Sequence, residues 1–119
     1  MSKAKSTWDG EIVRKWLESR FAASQYDQDY ADRKGRGYQD DYDKAAAESF
    51  VCHLTKSSEK TNDQERFIAF LTEQLGKEEY RYAGVYDDQR FERAVRKYLR
   101  NLIRKAKTNE DFDNLSRFQ

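Results

Sequence analysis

Residues 90–107, RFERAVRKYLRNLIRKAK, decide the fold of this 119-residue chain. Apolar residues stand at positions 91, 94, 95, 98, 99, 102, 103 and 106, which is the i, i+3, i+4, i+7 spacing of one helix face. The spacing predicts an amphipathic helix whose buried side includes Phe91, Val95, Tyr98, Leu102 and Ile103. Such a helix needs neighbours to cover its apolar side, so we expect the rest of the chain to pack around it.

The same stretch concentrates positive charge. It holds eight basic residues against one acid, Glu92, so its net charge is +7 and the other 101 residues together carry −6. The basic residues are Arg90, Arg93, Arg96, Lys97, Arg100, Arg104, Lys105 and Lys107. Like charges four residues apart each oppose the helix by about a few tenths of a kcal/mol. We therefore interpret the row as the binding place of an anionic partner, and predict that Arg93, Lys97, Arg100 and Arg104 face solvent.

The composition indicates one domain with a thin core. Charged residues make up 38% of the chain and apolar residues 37%, and seven Phe, eight Tyr and two Trp supply much of the apolar area. We expect a single helical domain over residues 1–119, with residues 1–5 as a loose basic tail. No run of 18 apolar residues occurs, so no membrane span is predicted. Cys52 is the only cysteine, which excludes an intramolecular disulfide and favours a reducing, cytoplasmic location.

Three further helices are predicted before the basic one. The first runs from near Ser6 to about residue 31, with Trp16 and Leu17 in the core, and the second spans residues 41–56. Capping-box spacing starts the third at Thr61 or Asn62, and Gly76 ends it. After Lys107 a short helix is expected, capped by Thr108 and docked through Phe112, Leu115 and Phe118. The predicted fold is thus all-α, a compact bundle of four main helices plus a short C-terminal helix.

A second basic segment lies between the first two helices. Residues 33–38, RKGRGY, contain Arg33, Lys34, Arg36 and Tyr38 around two glycines, and we expect a flexible loop there. Arginines beside a tyrosine can contact phosphate and stack on an unpaired base. Six acids in residues 27–43 surround the segment, so a solvated loop without a ligand is the alternative interpretation.

The spacing of Cys, His, Asp and Glu residues matches no catalytic or metal-binding motif. Cys52 and His53 are neighbours on a helix, so they do not face each other, and they are too few for a zinc site. Acidic pairs such as Asp40–Asp41 and Asp87–Asp88 stand where helix caps and solvated turns are expected. We predict a protein that is not an enzyme, with no cofactor, no metal and no small-molecule substrate.

Three stretches resemble the small helical subunit of class 1 CRISPR effector complexes. They are YDKAAAESF (42–50), RFIAFLTEQL (66–75) and YAGVYDDQRFERAVRKYLRNLIRKAKTNEDFDNLSRF (82–118). The resemblance implies an all-α, noncatalytic subunit that stacks along a crRNA–target filament and steadies a nucleic-acid strand. By this resemblance, five residues are expected to contact the nucleic-acid backbone: Arg93, Arg96, Lys97, Arg100 and Arg104. The first helix, with its two tryptophans, has no counterpart in this resemblance.

Three classes of function remain open on these grounds. The first is a noncatalytic subunit of a larger ribonucleoprotein complex that binds nucleic-acid backbone, either RNA or DNA. The second is a small protein–protein adaptor or inhibitor, for example phage-encoded, whose Arg-rich helix meets an acidic surface. The third is a charged, solvated helix face without a partner. For the first class the candidate residues are Arg93, Arg96, Lys97, Arg100, Arg104, Lys105, Arg33, Lys34, Arg36 and Tyr38.

Overall fold

Five helices build the described part of the chain. A computed structural model describes residues 8–108 and residue 112, with the side chain of Ser58 excepted. The helices are α1 (Gly10–Lys34), α2 (Gln39–Thr55), α3 (Ser58–Thr61), α4 (Gln64–Leu75) and α5 (Asp88–Thr108). No strand occurs in these described residues, which confirms the predicted all-α bundle with four main helices. Thr108, the predicted cap of the C-terminal helix, is the last residue of α5, and Phe112 is buried. The predicted tail and the rest of the predicted C-terminal helix lie outside the described residues.

The helices follow a simple spatial order. Helix α2 packs against both α1 and α5, and α4 packs against α5. Ala45, Ala46 and Ala47 are all buried on α2, because small side chains let neighbouring helices approach closely. The short helix α3 contacts both α1 and α4.

Helix α5 buries a partly different set of residues from the one that its periodicity predicted. The buried positions are Phe91, Val95, Leu99, Leu102 and Ala106. Tyr98 and Ile103, predicted to be buried, are only half-buried, so that part of the prediction was wrong. The reason is that each has an apolar neighbour in sequence, and periodicity cannot say which of two adjacent residues points at the core. Contact with α2 and α4 settles the rotation of the helix.

The first helix begins later than predicted. Asp9 is its N-cap, with a carboxylate oxygen that accepts from the backbone N–H of Glu11 at 3.0 Å, and Gly10 is its first residue. Ser6, the predicted start, lies outside the described residues. A Cβ at Gly10 would lie 2.6 Å from the carbonyl oxygen of Thr61, so glycine permits α1 to start against α3. The indole of Trp8 donates to that same oxygen at 2.9 Å.

The core prediction for α1 holds for one of its two residues. Leu17 is fully buried. Trp16 is half-buried, and its ring meets Phe112 edge to face at 5.4 Å, so it stands at the border of the core and not within it.

The connection between α1 and α2 is a tight turn. Helix α1 continues to Lys34, three residues past its predicted end, and Tyr38 already caps α2. Gly35 and Gly37 adopt φ values of 75° and 91°, which glycine alone tolerates without strain. The predicted flexible loop over residues 33–38 was therefore wrong in extent: Arg33 and Lys34 belong to the last turn of α1.

The bounds of α4 were predicted to within three residues. Its N-cap is Asp63, which accepts from the N–H of Arg66 at 3.0 Å, and not Thr61 or Asn62. Three polar residues in a row all have cap chemistry; Thr61 belongs to α3, and Asp63 has the extended backbone of a cap. The helix ends at Leu75, directly before Gly76, as predicted.

A buried carboxylate fastens α5 to α2. Asp43 is fully buried on α2 and accepts from the backbone N–H groups of Tyr86 at 2.8 Å and Asp87 at 2.9 Å. It also accepts from Arg90 Nη2 at 2.7 Å and Nε at 3.0 Å. The hydrogen bond with Asp43 is the main reason why the pKa of Arg90 is raised. Asp87 in turn accepts from the N–H groups of Gln89 and Arg90, as predicted for an acid at this helix start.

Removing this carboxylate should destabilise the whole bundle. In Asp43→Ala two backbone N–H groups lose their acceptor, so we expect the free energy of unfolding to fall by about 2–4 kcal/mol. Urea unfolding followed by far-UV circular dichroism measures the change. The matched control is Asp27→Ala, an exposed acid on α1, which should stay within about 0.5 kcal/mol of wild type. A similar loss in both variants would contradict the role assigned to Asp43.

Candidate nucleic-acid interface

The eight basic residues of α5 divide into two groups by their contacts. Three of them, Arg90, Arg96 and Lys105, are half-buried and bind groups within the protein. Arg90 is held by Asp43 and also lies 3.3 Å from the Asp40 carboxylate. The division follows from where neighbouring elements contact α5 and is not visible in the charge pattern of the sequence.

Arg96 supports the end of α4. Its guanidinium donates to the carbonyl oxygens of Leu75 at 3.0 Å, Lys77 at 3.1 Å and Glu78 at 3.2 Å. The last carbonyls of a helix lack intrahelical partners, and an arginine nearby satisfies them. The same guanidinium lies 5.0 Å from the ring centroid of Tyr80. The prediction that Arg96 contacts nucleic acid overlooked these internal acceptors.

Tyr80 completes this support. It is buried, and its hydroxyl donates to the carbonyl oxygen of Gln74 at 2.6 Å. Burial raises the pKa of the Tyr80 phenol, so it stays protonated and keeps donating through the neutral range. Arg96 and Tyr80 together hold the segment that follows α4 against α5.

Lys105 contacts aromatic rings on the other flank of α5. Its Nζ atom lies 5.1 Å from the ring centroid of Trp16 and 5.6 Å from that of Phe112. Both distances fall within the range of cation–π contacts. The structure thus places this predicted interface residue in the contact between α5, α1 and Phe112.

The other five basic residues form one exposed line, which we call the basic stripe. Its members are Arg93, Lys97, Arg100, Arg104 and Lys107, and all five are exposed. Their steps of four and three residues keep them on one side of the helix, opposite the buried side. At about 1.5 Å of rise per residue the stripe extends over about 21 Å. The predicted exposure of its first four members is confirmed.

The five members of the basic stripe differ from the cations of α1 in their ion pairing. Within the described part of the chain, no carboxylate lies at ion-pair distance from any of its five members. Arg104 donates to the side-chain oxygen of Asn101 at 3.1 Å, which is an uncharged partner. Helix α1 differs: there Arg14 pairs with Glu18 at 3.0 Å and Lys15 with Glu11 at 3.6 Å. The stripe therefore presents to an external anion a row of exposed cations that form no ion pair within the described residues.

The second group of candidates forms a separate surface of mixed charge. Arg33 lies 3.4 Å from Asp29, and Lys34 Nζ lies 5.4 Å from the ring centroid of Tyr30. Tyr38 meets the same Tyr30 ring edge to face at 6.1 Å. Arg36 is exposed in the turn. Lys34 and Tyr38 thus share contact with Tyr30, and within the described residues none of the four candidates contacts a member of the basic stripe.

Cys52, His53 and the carboxylates are the side chains most able to catalyse a reaction or to bind a metal ion. Burial raises the pKa of the Cys52 thiol to about 12, so the reactive thiolate is not populated near neutral pH. His53 is exposed and its ring lies 5.7 Å from that of Phe21, as expected for a surface histidine. Within residues 8–108 and 112, no group of three or more His, Cys, Asp or Glu residues is arranged to hold a metal ion.

No family model, curated protein or solved structure significantly matches the chain. The resemblance to CRISPR small subunits therefore stays a prediction. Among the described helices, none is both long enough and apolar enough to cross a bilayer.

The free energy of unfolding of single variants can test whether Arg96 is structural and Arg100 is not. Arg96→Ala removes three hydrogen bonds to carbonyls and the contact with Tyr80, so we expect the free energy of unfolding to fall by about 1–3 kcal/mol. Arg100→Ala, on the exposed stripe, should stay within about 0.5 kcal/mol of wild type. Denaturant unfolding of both variants gives the comparison, and equal losses would refute the division.

Proposed function

We propose that this protein is a noncatalytic, cytoplasmic subunit that binds the sugar–phosphate backbone of nucleic acid through its basic stripe. The observation that carries the proposal is the stripe itself: five exposed cations in line on one helix, without carboxylate partners among the described residues. The charge they present is available only because other residues of α5 hold the bundle together.

Phosphate is the anion that fits a repeating row of this kind. Arginine presents several donors in a planar fork that matches phosphate oxygens, and lysine adds a point charge. A nucleic-acid strand repeats its charge along its length, so successive members of the stripe meet successive phosphates. Each phosphate that is neutralised releases condensed counterions, which makes the binding favourable at low salt and independent of base sequence.

The remaining charge of the molecule supports docking through one face. The chain outside residues 90–107 carries a net charge of −6. A strand is attracted to the stripe and repelled by most of the other surface, so the field of the protein orients the encounter. This arrangement favours a fixed pose on the backbone over diffuse attachment.

The sequence resemblance suggests the setting of this binding. It implies a noncatalytic subunit of a larger ribonucleoprotein complex that stacks along a crRNA–target filament and steadies a strand, while base pairing with the guide reads the sequence. A subunit of that kind needs only to hold a strand in place, which backbone contacts achieve.

Binding should fall steeply with salt. If all five cations of the stripe neutralise phosphates, the logarithm of the association constant should fall with the logarithm of salt concentration with a slope of about −3.5 to −4.5. Arg100→Glu combined with Arg104→Glu should abolish binding, because it replaces two attractions by two repulsions. Fluorescence anisotropy with unrelated oligonucleotides over a salt series measures both effects.

The control variant makes the same change of net charge at positions outside the basic stripe. Lys15→Glu with Arg66→Glu replaces two exposed cations on α1 and α4, and it should retain most of the binding. Equal loss in the two double variants would mean that net charge and not the stripe governs binding. Absence of binding by wild type at low salt would refute the proposal and leave an acidic protein surface as the partner.

A further inference from the structure

A small cavity opens directly beside the basic stripe. It lies between α1, α2 and α5 and has a volume of about 230 Å³. Val51 and Leu102 are buried apolar residues in its lining, and the rings of Trp16 and Tyr98 line it as well. Sites for drug-sized molecules span about 300–1,000 Å³, so this cavity has room for one flat ring system and not for a larger ligand.

The lining of the cavity carries one net positive charge, on Lys105, because its other charged residues form an ion pair. Burial raises the pKa of the Tyr98 phenol and of the Cys52 thiol, so both stay protonated at neutral pH. Arg20 and Glu48 also line the cavity, but they bind each other in two hydrogen bonds of 2.8 Å and 3.1 Å. Their charges cancel across the pair, which favours an uncharged occupant with polar edges.

One side of the cavity is connected to the stripe. Asn101 lines the cavity, and its side-chain oxygen accepts a hydrogen bond from Arg104 of the stripe at 3.1 Å. Lys105, which also lines the cavity, places a second cation one residue from Arg104. A nucleotide whose phosphate binds Arg104 thus has its base next to Asn101, at the edge of an aromatic cavity.

We propose that this cavity binds one unpaired base of the strand whose phosphates lie on the basic stripe. The inference rests on the proposed function and adds that the bound nucleic acid is single-stranded. Proteins that bind single strands combine a positive track for the backbone with aromatic side chains that meet the bases, and every base has a face for such contact. In a duplex the bases are paired and stacked, so they do not reach the cavity.

The wild-type protein supplies the first test. We compare its affinity for a thymidine oligonucleotide with its affinity for an abasic oligonucleotide of the same length and charge. Contact between a base and an aromatic residue is worth about 5- to 150-fold in affinity, so the thymidine strand should bind at least fivefold more tightly. A ratio near one would overturn the base site while leaving backbone binding intact. No binding of either strand at low salt would overturn the proposed function and the base site together.

A variant that fills the cavity supplies the second test. Asn101→Phe places a ring at the edge of the cavity, without a change of charge, and should reduce the thymidine-to-abasic ratio to near one. The control is Ala69→Phe, which adds the same ring to an exposed position of α4 and should keep the wild-type ratio. An undiminished ratio in a folded Asn101→Phe variant would overturn the assignment of this cavity. If that variant does not fold, Asn101→Leu, a smaller uncharged replacement at the same cavity edge, takes its place, and an unchanged ratio in it would overturn the assignment.

Discussion

The arrangement of this protein depends on one buried carboxylate. Asp43 binds four donors, two from the chain that leads into α5 and two from Arg90. A buried carboxylate is favourable only when its oxygens are fully hydrogen-bonded, so these contacts fix where α5 begins relative to α2. Once the start is set, the rotation of the helix determines which basic residues face the protein and which face water.

The same charged helix therefore serves two purposes. Arg90, Arg96 and Lys105 use their charge on internal acceptors and aromatic rings, and so stabilise the contacts of α5 with α2, with the end of α4 and with α1. The basic stripe gains nothing comparable from the fold, and its like charges oppose the helix slightly. The five buried apolar residues of α5 outweigh that repulsion, since each buried side chain contributes about 1–3 kcal/mol. Stability is thus supplied by one side of α5, and the opposite side remains available to a partner.

Helical periodicity predicted the elements well because it depends on local spacing. It placed α5 within two residues of its observed bounds and identified the exposed members Arg93, Lys97, Arg100 and Arg104. It missed Asp43, since a single acid in a helix looks solvated, and the groups that it binds lie 43 to 47 residues away. It also missed the internal contacts of Arg96, because the carbonyl oxygens that Arg96 binds lie outside α5. Contacts between distant segments are what local patterns leave out.

The most direct measurement is a titration of the arginine side chains by nuclear magnetic resonance. The account predicts that a single-stranded oligonucleotide shifts the Nε–Hε signals of Arg93, Arg100 and Arg104, because these guanidinium groups bind phosphate. Arg90 and Arg96 should keep their signals, since their donors already have partners within the protein. Uniform shifts in all five arginines, or shifts confined to Arg90 and Arg96, would contradict the claim that α5 separates structural from partner-binding charge.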